Sequence, residues 1–294
     1  MSAPPVVVVG DVCTDVVVLL AGAAAPGSDR PARISNAGGG AAANVAAHLA
    51  GLGTPVLLAG CTGDDPAGRA LAAELSAAGV GLALRTVPGA ATGTVISLVE
   101  PDGERSMLAD RGANLALHPD DVPTPGAGGH LHLSGYTLLD PRPRAAGLAA
   151  LAAARAAGCT VSIDPASTGP LRGYGVERWL ADTAGATLLL PNAAEACLLA
   201  GTSDPVAAAR LLAGRHEVVV VSLGADGALW AAGDVLVHRP AHPATVVDTT
   251  GAGDAFAAGV LAAWHEAGGS PDAGPALDAG LARAATVVGR PGAR

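Results

Sequence analysis

The chain has 294 residues, half of them hydrophobic and 15% charged, with a formal net charge of −9; this is too apolar for a disordered chain and long enough to bury a sizeable core. Aromatic residues make up only 2%, too few for the stacking platforms of a single-strand nucleic-acid binder, and the negative charge opposes any polyanionic partner. All 17 basic residues are arginine, so a Walker A loop, a protein-kinase lysine and a Schiff-base amine are excluded together.

In chain order, the β-branched run Val6–Val9 before Gly10 predicts a buried first strand, and residues 16–20 a second. A Gly/Pro-containing stretch follows, and Gly38-Gly39-Gly40 opens an Ala-rich helix that stops near Gly51. Residues 56–58 predict a strand, and Asp64-Asp65 before Pro66 cap a helix near 67–77. Residues 94–99, the turn at Asp102-Gly103 and residues 104–108 predict a β-hairpin that joins strand 16–20 in a small sheet, read as a lid. Strands at 130–133, 161–163, 188–190 and 218–221 alternate with Ala-rich helical stretches. The fold class this predicts is α/β, with a mostly parallel central sheet covered by helices on both faces. No Pro/Ser-rich linker divides it, so one domain over 1–294 is expected, with lid strands from about 14–37 and 91–110.

Cys13, Cys61, Cys159 and Cys197 lie far apart with no Cys-x-x-Cys pair, a spacing of reduced thiols rather than of disulfides or zinc. No basic residue precedes Arg30, and Asp11 and Asp15 interrupt the apolar stretch 6–20, so neither a signal peptide nor a membrane span is expected. These features predict a soluble, cytoplasmic protein. His130 and His132 share one face of a strand by period 2, but no third ligand stands at a supporting spacing, which favours core histidines over a metal pair. Trp179, Trp230 and Trp264 read as packing residues and Arg105 as a solvated hairpin charge.

Two glycine-rich helix starts carry chemistry. In Asp248-Thr-Thr-Gly-Ala-Gly-Asp254 small residues precede an apolar helix, so backbone N–H groups and the helix dipole can face a phosphate. A carboxylate in that first turn can accept the proton of an attacking hydroxyl, or it can simply cap the helix. The run lacks the third glycine of a dinucleotide fingerprint. Gly39-Gly40 opens the second helix, with Asn44 in its early turns, and Asp15 adds an acceptor for hydroxyl groups.

Together these segments resemble the two signature motifs of the ribokinase-like, or phosphofructokinase-B type, carbohydrate kinases. Gly10-Asp-Val-Cys-Thr-Asp15, Gly39-Gly40 with Asn44, the Asp102-Gly-Glu-Arg105 hairpin, Pro191-Asn192-Ala-Ala-Glu195 and Ser222-Leu-Gly224-Ala-Asp-Gly227 match in the family's order. The resemblance implies Asp254 as catalytic base, with Gly251, Ala252 and Gly253 as the anion hole. It implies Asp15, Gly39, Gly40 and Asn44 for the acceptor, and Asn192, Ser222, Gly224 and Gly227 for the nucleotide. ATP and Mg²⁺ follow, with Glu195 organising the metal through phosphates or water, and in many members K⁺ or another monovalent cation near Asp248 and Thr250. The resemblance also implies a homodimer through the lid and a sugar acceptor, with a nucleoside as the alternative and a non-catalytic sugar-binding relative as a third reading. Ala41 and Ser134-Gly-Tyr136 stand where the ribose-specific branch carries Lys and Glu, which points away from ribose itself. Pro291-Gly-Ala-Arg294 ends where relatives usually continue, so the resemblance implies that the final strand and part of the nucleotide and cation sites are incomplete.

Overall fold

Four consecutive valines, Val6–Val9, form β1 with every side chain buried, and such a strand is stable only where both faces are covered. In the computed structural model, which describes residues 4–22, 27, 29, 31–100, 105–290 and 292–294, β1 lies inside a nine-stranded sheet. The chain continues with β2 (Cys13–Leu20), β3 (Ala32–Gly39), β4 (Val56–Gly63), β5 (Gly81–Val87), β6 (Gly93–Val99) and β7 (Arg105–Asp110). It ends with β8 (His130–Ser134), β9 (Thr160–Asp164), β10 (Leu188–Leu189), β11 (Val218–Ser222), β12 (Ala228–Ala232) and β13 (Val235–Arg239).

The large sheet runs β13-β12-β11-β10-β9-β8-β1-β4-β5. Its strands from β5 to β11 are parallel, and β12 and β13 add an antiparallel edge. Alternate side chains divide between two cores: Val7 and Val9 pack with Leu131, Leu133 and Trp179 on one face, and Val6 and Val8 with Leu49, Phe256 and Trp264 on the other. The three tryptophans are buried, as the sequence predicts.

The second sheet is the lid, in the order β3-β2-β6-β7. Its strands meet the main body at one end, where Cys13 stands in register with both Gly39 and Gly93, and Thr94 with Asp110. The strand β3 falls largely within the 14–37 span expected to give lid strands, but the Gly/Pro-containing sequence does not bound it; six of its eight residues are exposed, so no buried alternation marks it, and its ladder with β2 creates it. Likewise β5, β12 and β13 have no clean sequence pattern and form by pairing along the sheet edges. The Asp102-Gly103 turn and the Arg105 side chain lie outside the described residues. Asp65 caps its helix as expected, accepting from Gly68 N at 2.8 Å. Among the described residues no helix is long and apolar enough to cross a membrane.

Candidate active site

The site lies at the carboxyl ends of the parallel strands, where an open α/β sheet leaves a crevice. A cavity of about 690 Å³ is lined by Asn192, Ser222, Gly224, Gly227, Thr249 and Gly253, among others. A smaller one of about 170 Å³ adjoins it, sharing Asn192, Ser222 and Gly253 and adding Asp164, Glu195 and Asp254. The four residues expected for the nucleotide thus line the larger cavity, and the expected base lines the smaller one beside it.

The cradle is the N-terminus of the helix Ala252–Glu266. Gly251 precedes it at φ +74°, and a Cβ built there would lie 2.6 Å from Ala293 Cα. Only glycine combines that left-handed backbone with that close approach. At Gly253 a Cβ would meet nothing within 4 Å, so the backbone there faces open space. The Ala252 N–H already donates to Thr249 O at 3.2 Å, and the remaining first-turn N–H groups, which have no partner within a helix, attract an anion.

Asp254 Oδ2 accepts a hydrogen bond from Asn44 Nδ2 at 2.8 Å. Burial pushes the Asp254 carboxyl up to about 7; Asp164 and Asp15 push the same way, while the Asn44 bond and Arg294 oppose. Asn44 Oδ1 is buried with no hydrogen-bond partner and is open to a ligand hydroxyl. Asn44 sits on the helix Ala41–Gly51, whose start is set by Gly40 at φ +94°, packed against Asp11 O. Across the cleft Asp15 projects from the lid strand β2. A Cβ on Gly39 would lie 2.2 Å from its carboxyl carbon, so the glycine makes room for the carboxylate. Burial pushes Asp15 up to about 6, against the pull of Arg294.

Asn192 and Glu195 form a reciprocal capping box: Asn192 Oδ1 accepts from Glu195 N, and Glu195 Oε2 from Asn192 N, both at 3.0 Å. Burial raises the Glu195 and Asp164 carboxyls, and the Asp164 charge raises Glu195 further. Asp164, Glu195 and Asp254 line the smaller cavity, and the Asp164 charge acts on both of the others. Among the described residues no three acidic, His or Cys side chains converge into a metal cluster of their own, so a divalent cation here would draw most of its ligands from phosphate oxygens and water. Asp248 accepts from Thr250 N at 2.9 Å and Thr250 Oγ1 at 2.7 Å through one oxygen, and from Gly292 N at 3.1 Å through the other. It ties the cradle loop to the chain's last residues.

Three features were not singled out in the sequence. Asp164 ends the buried strand β9, and a carboxylate at the carboxyl end of a parallel strand is the signal that would have found it. Asp11 pairs Arg111 through two hydrogen bonds at 2.9 and 2.6 Å. Arg294 donates to Gly38 O at 3.2 Å behind the lid strand. His130 and His132 lie in the core, where both bond Ser162 Oγ at 2.8 Å, and His130 also bonds Thr160 Oγ1 at 2.7 Å. Burial pushes them down to about 3 and 4, so both are neutral.

Comparison with known proteins agrees with this geometry. The model of the pfkB family carbohydrate kinases matches residues 4–294, and the chain belongs to that family of ATP-dependent, ribokinase-like enzymes. An ATP-dependent ribose-1-phosphate kinase of Halopiger xanaduensis is 38% identical over 269 residues, covering 87% of this chain and 82% of the relative. The structure of aminoimidazole riboside kinase from Salmonella enterica, complexed with aminoimidazole riboside and an ATP analogue, superposes with a TM-score of 0.82 at 30% identity, covering 98% of this chain and 95% of that one. A putative ribokinase II from E. coli in complex with ATP and Mg²⁺ superposes with a TM-score of 0.84 at 25% identity, covering 100% and 94%.

Proposed function

We propose that this kinase transfers the γ-phosphoryl group of ATP to a hydroxyl of a small sugar or sugar derivative, with Asp254 as the base. The observation that carries this reading is the position of Asp254, in the first turn of the cradle helix and hydrogen-bonded to Asn44. The acceptor oxygen bonds to the γ-phosphorus, the bond from that phosphorus to the β–γ bridging oxygen breaks, ADP leaves, and the hydroxyl proton passes to the Asp254 carboxylate. Backbone N–H groups at Gly251, Ala252 and Gly253 stabilise the transferring group. Asp15 and Asn44, with the space kept by Gly39 and Gly40, hold the acceptor. Asn192, Ser222, Gly224 and Gly227 line the nucleotide's cavity. Glu195, with Asn192 and Asp164, would hold Mg²⁺, which neutralises phosphate charge when bound. Asp248 and Thr250 would hold a monovalent cation such as K⁺ beside the cradle.

Asp254→Asn keeps the shape and removes the base. It should lower kcat by roughly 10²–10⁴-fold with acceptor KM little changed. Near-normal ADP release by this variant with any acceptor would sink the assignment.

A nucleoside acceptor is the second reading. Val17, Val95 and Met107 share the Asp15 face of the lid by period 2 and offer apolar cover that a base needs and a free sugar does not. The riboside kinase likeness supports it. Comparing kcat/KM for ribosides and free hexoses separates the two.

The opposite lid face supports the homodimer. Val16, Val18, Ile34, Ile96, Leu98 and Leu108 share it, and Ile34 and Leu108 are 66% and 55% exposed. An apolar row across four strands fits a second copy of itself.

A further inference from the structure

Behind the acceptor side of the cleft, a separate cavity of about 180 Å³ is lined by His48, Glu74, Arg283, Arg290 and Arg294. We propose that it is a second anion site, which takes a phosphate-sized tetrahedral oxyanion. It shares no lining residue with the nucleotide cavity or with the pocket around Asp254.

The charge count is one-sided. Among the lining residues three guanidinium groups meet one carboxylate, Glu74, whose Oε1 lies 3.5 Å from Arg294 Nη1; Arg294 is also drawn toward Asp15 and Asp254, which stand outside this cavity. His48 adds no opposing charge and is itself neutral. Its Nδ1 accepts from Arg283 Nη2 at 2.9 Å and its Nε2 donates to Ala293 O at 2.9 Å. Burial, reinforced by Arg283, Arg290 and Arg294, pushes it down to about 4. The cavity therefore holds an excess of positive charge in a chain whose net charge is −9.

Some donors are also unfilled. Arg283 Nε and Arg294 Nη2 are buried without a hydrogen-bond partner, Arg294 Nη1 has only the 3.5 Å ion pair to Glu74, and the Arg294 side chain is only 11% exposed. Buried guanidinium N–H groups left without an acceptor are costly. The helices Ala41–Gly51 and Pro66–Ala77 both end beside this cavity, and their carbonyl ends attract cations, which explains why arginines gather there. It does not explain donors that reach no carbonyl. An oxyanion supplies acceptors to several guanidinium groups at once. The volume suits inorganic phosphate or the phosphate end of a small ester, whereas a nucleotide needs the larger cavity.

The catalytic cradle also attracts oxyanions, so the test is made on protein saturated with ADP and Mg²⁺. Crystals grown with selenate and measured at the selenium edge should show an anomalous peak within hydrogen-bond reach of Arg283 and Arg290. A peak only at the Gly251–Gly253 cradle, or none, overturns the proposal. In solution, calorimetric titration with inorganic phosphate should show binding that Arg290→Gln weakens by roughly tenfold or more, with the unliganded Tm unchanged. Arg290 is exposed and makes no contact in the catalytic cleft, so this variant should fold. A parallel titration with ribose 5-phosphate distinguishes free from esterified phosphate. Phosphate that fails to bind, or binds both proteins equally, overturns the site whether or not Asp254 proves to be the base.

Discussion

Asn44 and Asp254 lie 210 positions apart in the chain and are joined by a hydrogen bond of 2.8 Å. The bond locks two helix starts, one beside the lid and one at the cradle, into a fixed relation. It also acts on the carboxylate's chemistry, because it favours the ionised form of Asp254 that burial disfavours. Removing it should therefore change both the grip on the acceptor and the titration of the base. With Asn44→Ala, the rise of kcat/KM with pH should move to higher pH and the acceptor KM should increase by roughly tenfold. A profile superposing on the wild type would show that the bond is structural only.

The wild-type profile follows from the same group. With Asp254 held near 7, kcat/KM should rise as pH passes through about 7 and then level off. The sign for stability is the reverse. A carboxyl whose folded pKa is raised stabilises the fold fully below its unfolded value and loses that contribution as pH rises through the folded one. Asp254→Asn should thus melt higher than wild type at pH 8, by at most about 4 kcal/mol of stability, with the gap narrowing toward pH 4. Calorimetric melting at the two pH values checks it.

Two neighbouring glycines should behave differently. Gly251→Ala meets both a φ of +74° and the Ala293 backbone, so it should cost about 1–3 kcal/mol and lower the Tm together with kcat. Gly253→Ala meets no neighbour within 4 Å and should leave the Tm unchanged. Its methyl group would crowd a bound phosphate, so the KM for ATP should rise by about tenfold or more. Melting curves and ATP titrations on the pair separate fold from function.

Glu195→Gln keeps an oxygen for the Asn192 N–H and so preserves the capping box. It removes charge from the proposed metal site. The Mg²⁺ concentration for half-maximal ADP release should rise by roughly 10–100-fold with the Tm little changed. An unchanged Mg²⁺ dependence would remove Glu195 from that role.

The lid interface is testable by size. Ile34→Asp with Leu108→Asp places four carboxylates in a dimer's apolar contact, and the variant should run as a monomer in light scattering where the wild type runs as a dimer. Wild-type protein that is already monomeric would end the dimer reading.

The sequence was most legible where one face or both faces of an element are buried. Val6–Val9 is found by its valines alone. The cradle is found because a helix start facing an anion demands small residues, whereas Asn192 and Glu195 are found only through the family resemblance and their capping box is seen only in the fold. The bounds of β3, inside the span expected to give lid strands, were illegible because its exposed side chains carry no period and only its partner β2 makes it a strand. The role of Gly39 was visible as a motif but not as mechanics: the clearance of Asp15 is a fact about two strands in register. The arginines of the cavity stand close together in the sequence at 283, 290 and 294, but that they meet His48 and Glu74 from two other helices is legible only in the fold.

The lid strands meet the main body along one edge, the row of Cys13, Gly39 and Gly93, with Asp110 one register step further out opposite Thr94. A plate tethered along one edge can swing but not slide. Asp15 sits two residues from that edge, about 7 Å out, and Leu20 seven residues, about 23 Å out. A swing of about 10° would then carry the tip roughly 4 Å and Asp15 only about 1 Å. The leverage lets the far end admit or enclose a ligand while the carboxylate near the axis barely leaves its place.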